Sequence, residues 1–259
     1  MQAFTLILVV VAGLVFGSFL NVCISRLPPH QSIVRPRSRC PHCGAAIAAY
    51  DNIPIFSFLI LHGRCRACRR RIAWRYPAIE LATATLWLLC FLQFGFTLRA
   101  LGMAVLSFLL LGLAAMDAET LRLPDSFTLP GIALGIVYSG AICGRLHCAL
   151  ISAAWAAAAV ALLLLISGAY WLLRRRMGMG VGDAKLLAMI AAWLGPAAAL
   201  LTLFFAVLAA AVYGIALSIA RRRFDATAAL PLGSFLCAAA LYAIFQGHHA
   251  ISWYSGLFH

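Results

Sequence analysis

Long apolar stretches recur along this chain, and nothing else constrains its fold as tightly. Eight can be read, over about residues 4–24, 78–96, 99–117, 126–143, 148–173, 183–195, 197–220 and 229–246. Most approach the roughly 20 residues a helix needs to cross ~30 Å of hydrocarbon. Backbone surrounded by lipid must satisfy its own N–H and C=O groups, which favours helices for runs of this kind. The chain is 64% hydrophobic and its mean hydropathy is +0.99. The expected fold is therefore an all-α polytopic membrane protein of about eight transmembrane helices. The sixth segment is short, and Pro196 separates it from the seventh, so a re-entrant or half-spanning arrangement is the alternative there. Residues 4–22 resemble the apolar core of a signal peptide. The run is long, however, with no cationic start and no small-residue cleavage site, and is read as a membrane helix.

The net charge of +13 invites a nucleic-acid reading, but its distribution favours topology. Ten of the 20 basic residues fall in residues 25–77. With that loop in the cytoplasm, Arg122, Arg174–Arg176, Lys185 and Arg221–Arg223 also fall inside, leaving only Arg99 and Arg145 outside. Such a bias over short loops orients membrane proteins, and puts the N-terminus outside. Three parts follow: a first helix (1–24), a cytoplasmic insert (25–77) and a membrane-embedded remainder (78–259) of about seven helices.

The insert is too small and too rich in arginine to build an apolar core, and domains of this size usually need a staple. Cys40-Pro41-His42-Cys43 and Cys65-Arg66-Ala67-Cys68 supply one. Two C-x-x-C knuckles offer four thiolates for a tetrahedral zinc site, and a reducing compartment favours metal over disulfides. Four protein ligands leave no open position, so the expected role is structural. His42 and His62 are surplus to it. Cys23, Cys90, Cys143, Cys148 and Cys237 read as small packing residues. Cys143 and Cys148 share the outer face, where a disulfide can form, although the sequence gives it little support.

The chain has seven acidic residues: Asp51, Glu80, Asp117, Glu119, Asp125, Asp183 and Asp225. A carboxylate near hydrocarbon is costly, so each one bordering a membrane segment is a functional candidate. Asp117 ends the third apolar segment, where a helix C-terminus disfavours negative charge; an ion pair with Arg122 is the ordinary explanation. Asp125, after Pro124, is placed as an N-cap, and Glu119 as a solvated loop residue. Asp183 follows Gly178-Met179-Gly180-Val181-Gly182, glycines that let a neighbouring helix or an extended peptide approach. Its ordinary explanation is an N-cap with Lys185 as countercharge. No Walker pattern follows, which disfavours a phosphate loop. Two carboxylates at one site can divide acid and base roles, one activating water and the other protonating a carbonyl or leaving group.

Together these elements resemble the type IV prepilin peptidases, membrane aspartic proteases of the GxGD class, over nearly the whole chain. The resemblance is carried by Gly17-Ser18-Phe19-Leu20-Asn21-Val22, Arg26-Leu27-Pro28 and the two knuckles with Asp51-Asn52-Ile53-Pro54 between them. It continues through Gly63-Arg64-Cys65-Arg66, Arg75-Tyr76-Pro77 with Glu80, Asp117–Asp125 (D-x-x-T-x-x-L-P-D), Gly180–Asp183 with Lys185, and Pro231-Leu232-Gly233. Phe58 and Ser234 depart from the commonest family forms, at positions expected to lie away from the chemistry. The resemblance implies a bifunctional enzyme of the bacterial inner membrane. It implies leader cleavage of type IV prepilins or type II secretion pseudopilins at the cytoplasmic face, then methylation of the new N-terminus from S-adenosylmethionine. Asp117 and Asp183 would be catalytic, supported by Gly180, Gly182, Lys185 and Asp125. Asn21, Arg26, Asp51, Asn52 and Glu80 are candidates for methyl transfer, although an acid such as Glu80 also suits the first turn of a helix.

Three rivals make different demands. A GxGD protease acting on preflagellins or other membrane substrates would need neither zinc insert nor methylation elements. A proton-coupled transporter would put paired acids near the midplane of two repeated halves, whereas here they lie at one face without a repeat. A zinc module binding nucleic acid would interleave aromatics with its cations, and Arg64–Arg71 contains none. Those arginines suit anionic lipid headgroups instead.

Overall fold

The computed structural model describes residues 2–175, 180–221 and 230–256. Arg176, Gly178, Met179, Arg222, Arg223 and Asp225 lie outside them. Among the described residues there are eight α-helices and no strand beyond isolated bridges. They are α1 (Gln2–Arg26), α2 (Phe56–Ile60), α3 (Arg75–Phe94), α4 (Leu98–Thr120), α5 (Asp125–Cys143), α6 (Leu146–Arg174), α7 (Val181–Arg221) and α8 (Leu232–Gly256). Six of these, α1 and α3 to α7, are long and apolar enough to cross a membrane. The chain forms two compact units, residues 1–112 and 113–259.

In the first unit α1 packs along α3. A Cβ at Gly13 would lie 2.6 Å from Ala84 Cα, and one at Gly17 would lie 2.7 Å from Glu80 Cα. The two backbones therefore touch across a G-x-x-x-G face, the close approach that small residues permit between membrane helices. Sequence reasoning passes over this spacing, although it is local. Gly17→Leu should consequently force the helices apart and destabilise the unit by about 2 kcal/mol or more. A lowered melting temperature of the detergent-solubilised protein would show it; an unchanged one would mean the seam is loose.

In the second unit α7 packs on α5, α6 and α8. The sixth and seventh apolar segments meet within α7, at a break where Gly195 is non-helical (φ 81°, ψ 176°). The first half, residues 181–194, is about 21 Å long at 1.5 Å per residue, short of the hydrocarbon thickness. Its core face is nearly continuous: Ala184 and every residue from Leu186 to Trp193 are buried. Pro196 has no N–H to give the carbonyl four residues earlier. That carbonyl, of Ala192, accepts from Ser152 Oγ on α6 at 2.8 Å. Trp193 anchors the same end by donating from Nε1 to Gly131 O at 2.8 Å. It fills a slot that a Cβ on Gly135 would close, at 2.6 Å from Trp193 Cδ1.

One helix boundary and one cysteine pair differ from the sequence expectation. Helix α4 runs on to Thr120, so Asp117 lies within its last turn and Glu119 is exposed on the helix rather than in a loop. Cys143 and Cys148 form a disulfide around the turn between α5 and α6, so these two are not merely packing residues. Cys23, Cys90 and Cys237 are buried, as packing residues are.

Candidate active site

The second unit gathers the two acids. Asp117 is 5% exposed on the last turn of α4. Among the described residues it forms no ion pair with Arg122 or another cation. Ser234, in the first turn of α8, donates to Oδ2 from its backbone N–H at 2.6 Å and from Oγ at 2.9 Å. The first N–H groups of a helix have no partner within it, so the start of α8 offsets the unfavourable end of α4. Ser234 is thus not remote from the acids, and sequence reasoning errs in setting it aside. The only sequence signal for it is adjacency to Pro231-Leu232-Gly233. A Cβ on Gly233 would sit 3.0 Å from Asp117 Cγ and Oδ2, which is why a bare backbone is needed beside that carboxylate.

Asp183 lies on the first turn of α7 and its backbone N–H donates to Gly180 O at 3.2 Å. It is close enough to Asp117 for the two charges to interact, and both lie near enough to the buried Cys237 to act on it. A Cβ on Gly182 would meet Leu123 Cβ at 3.2 Å, and one on Gly233 would meet Leu123 Cδ1 at 3.0 Å. Leu123 therefore fits between two glycines and fastens the 117–125 segment against the starts of α7 and α8. What approaches Gly182 is the Leu123 side chain, from the connection between α4 and α5, and not a neighbouring helix. Gly180 is under no such crowding: the nearest atom to its Cβ position is Asp183 Oδ2 at 3.5 Å.

Asp125 is not the N-cap of α5. Pro124 occupies that position, without a side-chain cap hydrogen bond, and Asp125 is the first residue of the helix. Its Oδ1 instead accepts from Lys185 Nζ at 2.7 Å, joining the first turns of α5 and α7. Lys185 is thereby the countercharge of Asp125 rather than of Asp183. The pair is solvent-facing, and such bridges contribute about 0–1 kcal/mol.

In the first unit the Sγ atoms of Cys40, Cys43, Cys65 and Cys68 all lie within 4.8 Å of one another, and Cys40 and Cys68 are 3.9 Å apart. Tetrahedral zinc with bonds of about 2.3 Å requires sulfurs near 3.8 Å apart, so the cluster is compatible with zinc. Both knuckles are built alike. Gly44 N–H donates to Cys40 O and Arg69 N–H to Cys65 O, with Gly44 (φ 70°) and Arg69 (φ 57°) left-handed. A bridge closes each, Arg39 to Ala46 and Arg64 to Arg71. The backbone N–H groups of Cys43 and then His42 pull the Cys40 thiol down to about 7. Backbone donors are thus the main support for charge on that sulfur. His42 and His62 are exposed and outside the cluster.

Of the methyl-transfer candidates, Asn21 and Glu80 are buried at the α1–α3 seam. Asn21 Nδ2 donates to Tyr76 O at 3.0 Å, while its buried Oδ1 has no partner among the described residues. Glu80 Oε2 accepts from Ile55 N–H at 2.8 Å. Ile55 has φ 59° and ψ −50°, a costly conformation for a β-branched residue, so Glu80 fixes a strained point of the insert. Asp51 is committed to Arg66, whose Nε and NH2 reach its two oxygens at 2.8 and 2.6 Å. That guanidinium holds the Asp51 carboxyl below the usual carboxylate range. Arg26 donates to Ser32 O at 3.0 Å, and Asn52 is exposed in a 3-10 turn, Ala49–Asn52.

Known proteins match this chain over most of its length. Residues 11–94 match the bacterial peptidase A24 N-terminal domain, and residues 103–215 the type IV leader peptidase family. A prepilin leader peptidase/N-methyltransferase of Myxococcus xanthus is 43% identical over 82% of this chain, which spans 63% of that relative's length. One of Neisseria gonorrhoeae is 34% identical over 98% of this chain and 96% of its own, and one of Burkholderia pseudomallei is 38% identical over 92% and 84%. No solved structure matches. With an identity of 34% sustained over nearly the full length of both proteins, the chain belongs to the type IV leader peptidase family.

Proposed function

We propose that this protein is a bifunctional prepilin peptidase and N-methyltransferase of the bacterial inner membrane, acting on type IV prepilins or type II secretion pseudopilins. The observation that carries the proposal is the meeting of Asp117 and Asp183 at three helix ends. Acids from α4 and α7 lie close enough to interact, beside the start of α8, where Gly233 leaves room for the Asp117 carboxylate. The strongly basic insert argues for a cytoplasmic site. The functional division we favour is a first helix (1–24), a zinc-binding insert (25–77) and the peptidase region (78–259).

Leader cleavage then follows aspartic-protease logic. One carboxylate takes a proton from water, whose oxygen attacks the scissile carbonyl carbon. The other carboxyl protonates the carbonyl oxygen. When the tetrahedral centre collapses, the C–N bond breaks and the leaving amine takes up the proton held by the first. Lys185 and Asp125 keep the starts of α7 and α5 in register; they do not touch the reacting atoms in this scheme.

The residues that fit a methyl donor are Asn21, whose buried oxygen has no partner among the described residues, and Glu80 on the same seam. Bound S-adenosylmethionine would supply an electrophilic methyl group. The protein's part is to present the freshly released amine in its neutral form. Arg26, Asp51 and Asn52 remain candidates for contacts at the surface. Zinc at Cys40, Cys43, Cys65 and Cys68 would hold the insert's shape and take no part in either step.

The test is to incubate the purified protein in liposomes with a prepilin, with and without S-adenosylmethionine, and weigh the products. Leader loss in both, and one added methyl on the N-terminus only with the donor, is expected. Cleavage without methylation would leave the protease and remove the second activity. Gly233→Ala gives a finer check, because its Cβ displaces the Asp117 carboxylate. Cleavage should fall by roughly ten- to a hundredfold, while methylation of a pre-cleaved substrate stays level.

A further inference from the structure

Ser234 makes more contacts with Asp117 than any scheme above requires. Both of its donors converge on a single oxygen, Oδ2, at 2.6 and 2.9 Å, the N–H also reaching Pro231 O at the longer distance of 3.1 Å. Its Oγ also lies 3.0 Å from Ala114 O, one turn before Asp117 on the same helix. A hydroxyl has one proton to give and two lone pairs to receive with. We infer that Ser234 is a positioning residue for cleavage: it fixes the Asp117 carboxylate by Oδ2 and leaves Oδ1 as the oxygen that exchanges protons with water and leaving amine. This rests on reading Asp117 and Asp183 as the catalytic pair.

The chemistry of the contacts explains why a serine suits the place. A backbone N–H can only donate, so it marks Oδ2 as an acceptor throughout the cycle. While Asp117 is ionised, the Ser234 hydroxyl donates to Oδ2 as well, and hydrogen bonds to charged groups are the stronger kind. When Oδ1 has taken a proton from water, Oδ2 carries less charge. The hydroxyl can then turn its proton to Ala114 O, with no heavy atom moving. The carboxylate is held in one rotamer in both states, which is what a group that accepts a proton and returns it to another atom needs. Gly233 completes the cradle, since its missing Cβ is what lets Ser234 N–H come this close.

The experiment uses the full-length protein in liposomes and a synthetic prepilin. Ser234→Ala removes the hydroxyl and keeps the N–H; kcat for cleavage should fall on the order of tenfold, with KM within about twofold because substrate is not touched. Ser234→Thr restores the hydroxyl and should recover most of the lost kcat. Methyl transfer to a pre-cleaved substrate should be unchanged in both. Alanine with kcat within twofold of the parent overturns the inference. So does threonine no better than alanine, or a fall in melting temperature that accounts for the loss. Asp117→Asn separates the levels: if it still cleaves, the catalytic pair is wrong and Ser234 falls with it. If it is inactive while Ser234→Ala is fully active, only the role of Ser234 is lost.

Discussion

Asp117→Asn and Asp183→Asn should each lower the rate of leader cleavage by roughly 10³-fold or more, with the double substitution hardly worse than either single one. General acid–base groups typically contribute 10²–10⁴-fold, and residues that act as a unit lose their effect together. Asparagine can still accept from Ser234 at Asp117, so the packing at the start of α8 survives and the protein inserts normally. Methylation of a pre-cleaved substrate therefore continues, and serves as the control within each preparation. Asp125→Asn gives a contrasting result, because it breaks only an exposed bridge to Lys185; cleavage changes by a few-fold at most. Single-turnover cleavage of a labelled prepilin measures all four variants. An Asp183→Asn protein that cleaves normally would show that the second acid lies elsewhere.

Cys40→Ser, or stripping metal with a strong chelator, collapses the insert. Structural zinc sites in small domains bind with apparent energies of about 10–16 kcal/mol, and that energy is folding energy. The insert has little else to replace it. Its side chains Tyr50, Ile53, Phe56, Leu59, Ile60 and Trp74 are all exposed, and its hydrogen bonds are mostly turns. One zinc per chain by elemental analysis is expected for the parent. In the variant, protease should cut between residues 30 and 72, and methylation should fail before cleavage does. The order matters, because Ile55 reaches Glu80 from the insert, whereas Asp117 and Asp183 belong to the other unit. A metal-free protein that resists protease and keeps both activities would leave the cysteines without a structural role.

What could be read from the sequence was what is local. Two C-x-x-C knuckles declare their chemistry within four residues each, and an acid bordering an apolar run stands out wherever it falls. The missing parts are pairings across the chain. Asp117 and Ser234 are 117 positions apart, and no spacing rule links a helix end to the first turn of another. The same holds for Ser152 and Ala192, 40 positions apart: Pro196 announces an orphaned carbonyl, but not who will satisfy it. Asp125 was assigned by a capping rule that asks only about neighbours. The rule fails because Lys185, from a different helix, offers the carboxylate an ion pair instead. The glycines divide in the same way. Gly180 and Gly182 stand out before Asp183 in the sequence, whereas Gly233 acquires its meaning only once a carboxylate is seen beside it.

The half-length of helix before Gly195 has a consequence for how freely this chain can drift. Elsewhere in the bundle a leucine facing lipid can become valine, isoleucine or phenylalanine at little cost, since hydrocarbon accepts any of them. From Ala184 to Trp193 the neighbours are protein, and four of the ten positions are already alanine. Enlarging Ala188 or Ala191 would be felt in the helix bearing Asp183 rather than in the bilayer. Saturation mutagenesis scored by pilus assembly should thus show an intolerant block over these ten residues. Beyond the Gly195 break, the lipid-facing Phe204, Val207, Leu208 and Ile215 should form a permissive one, although a hydropathy plot gives both stretches the same height.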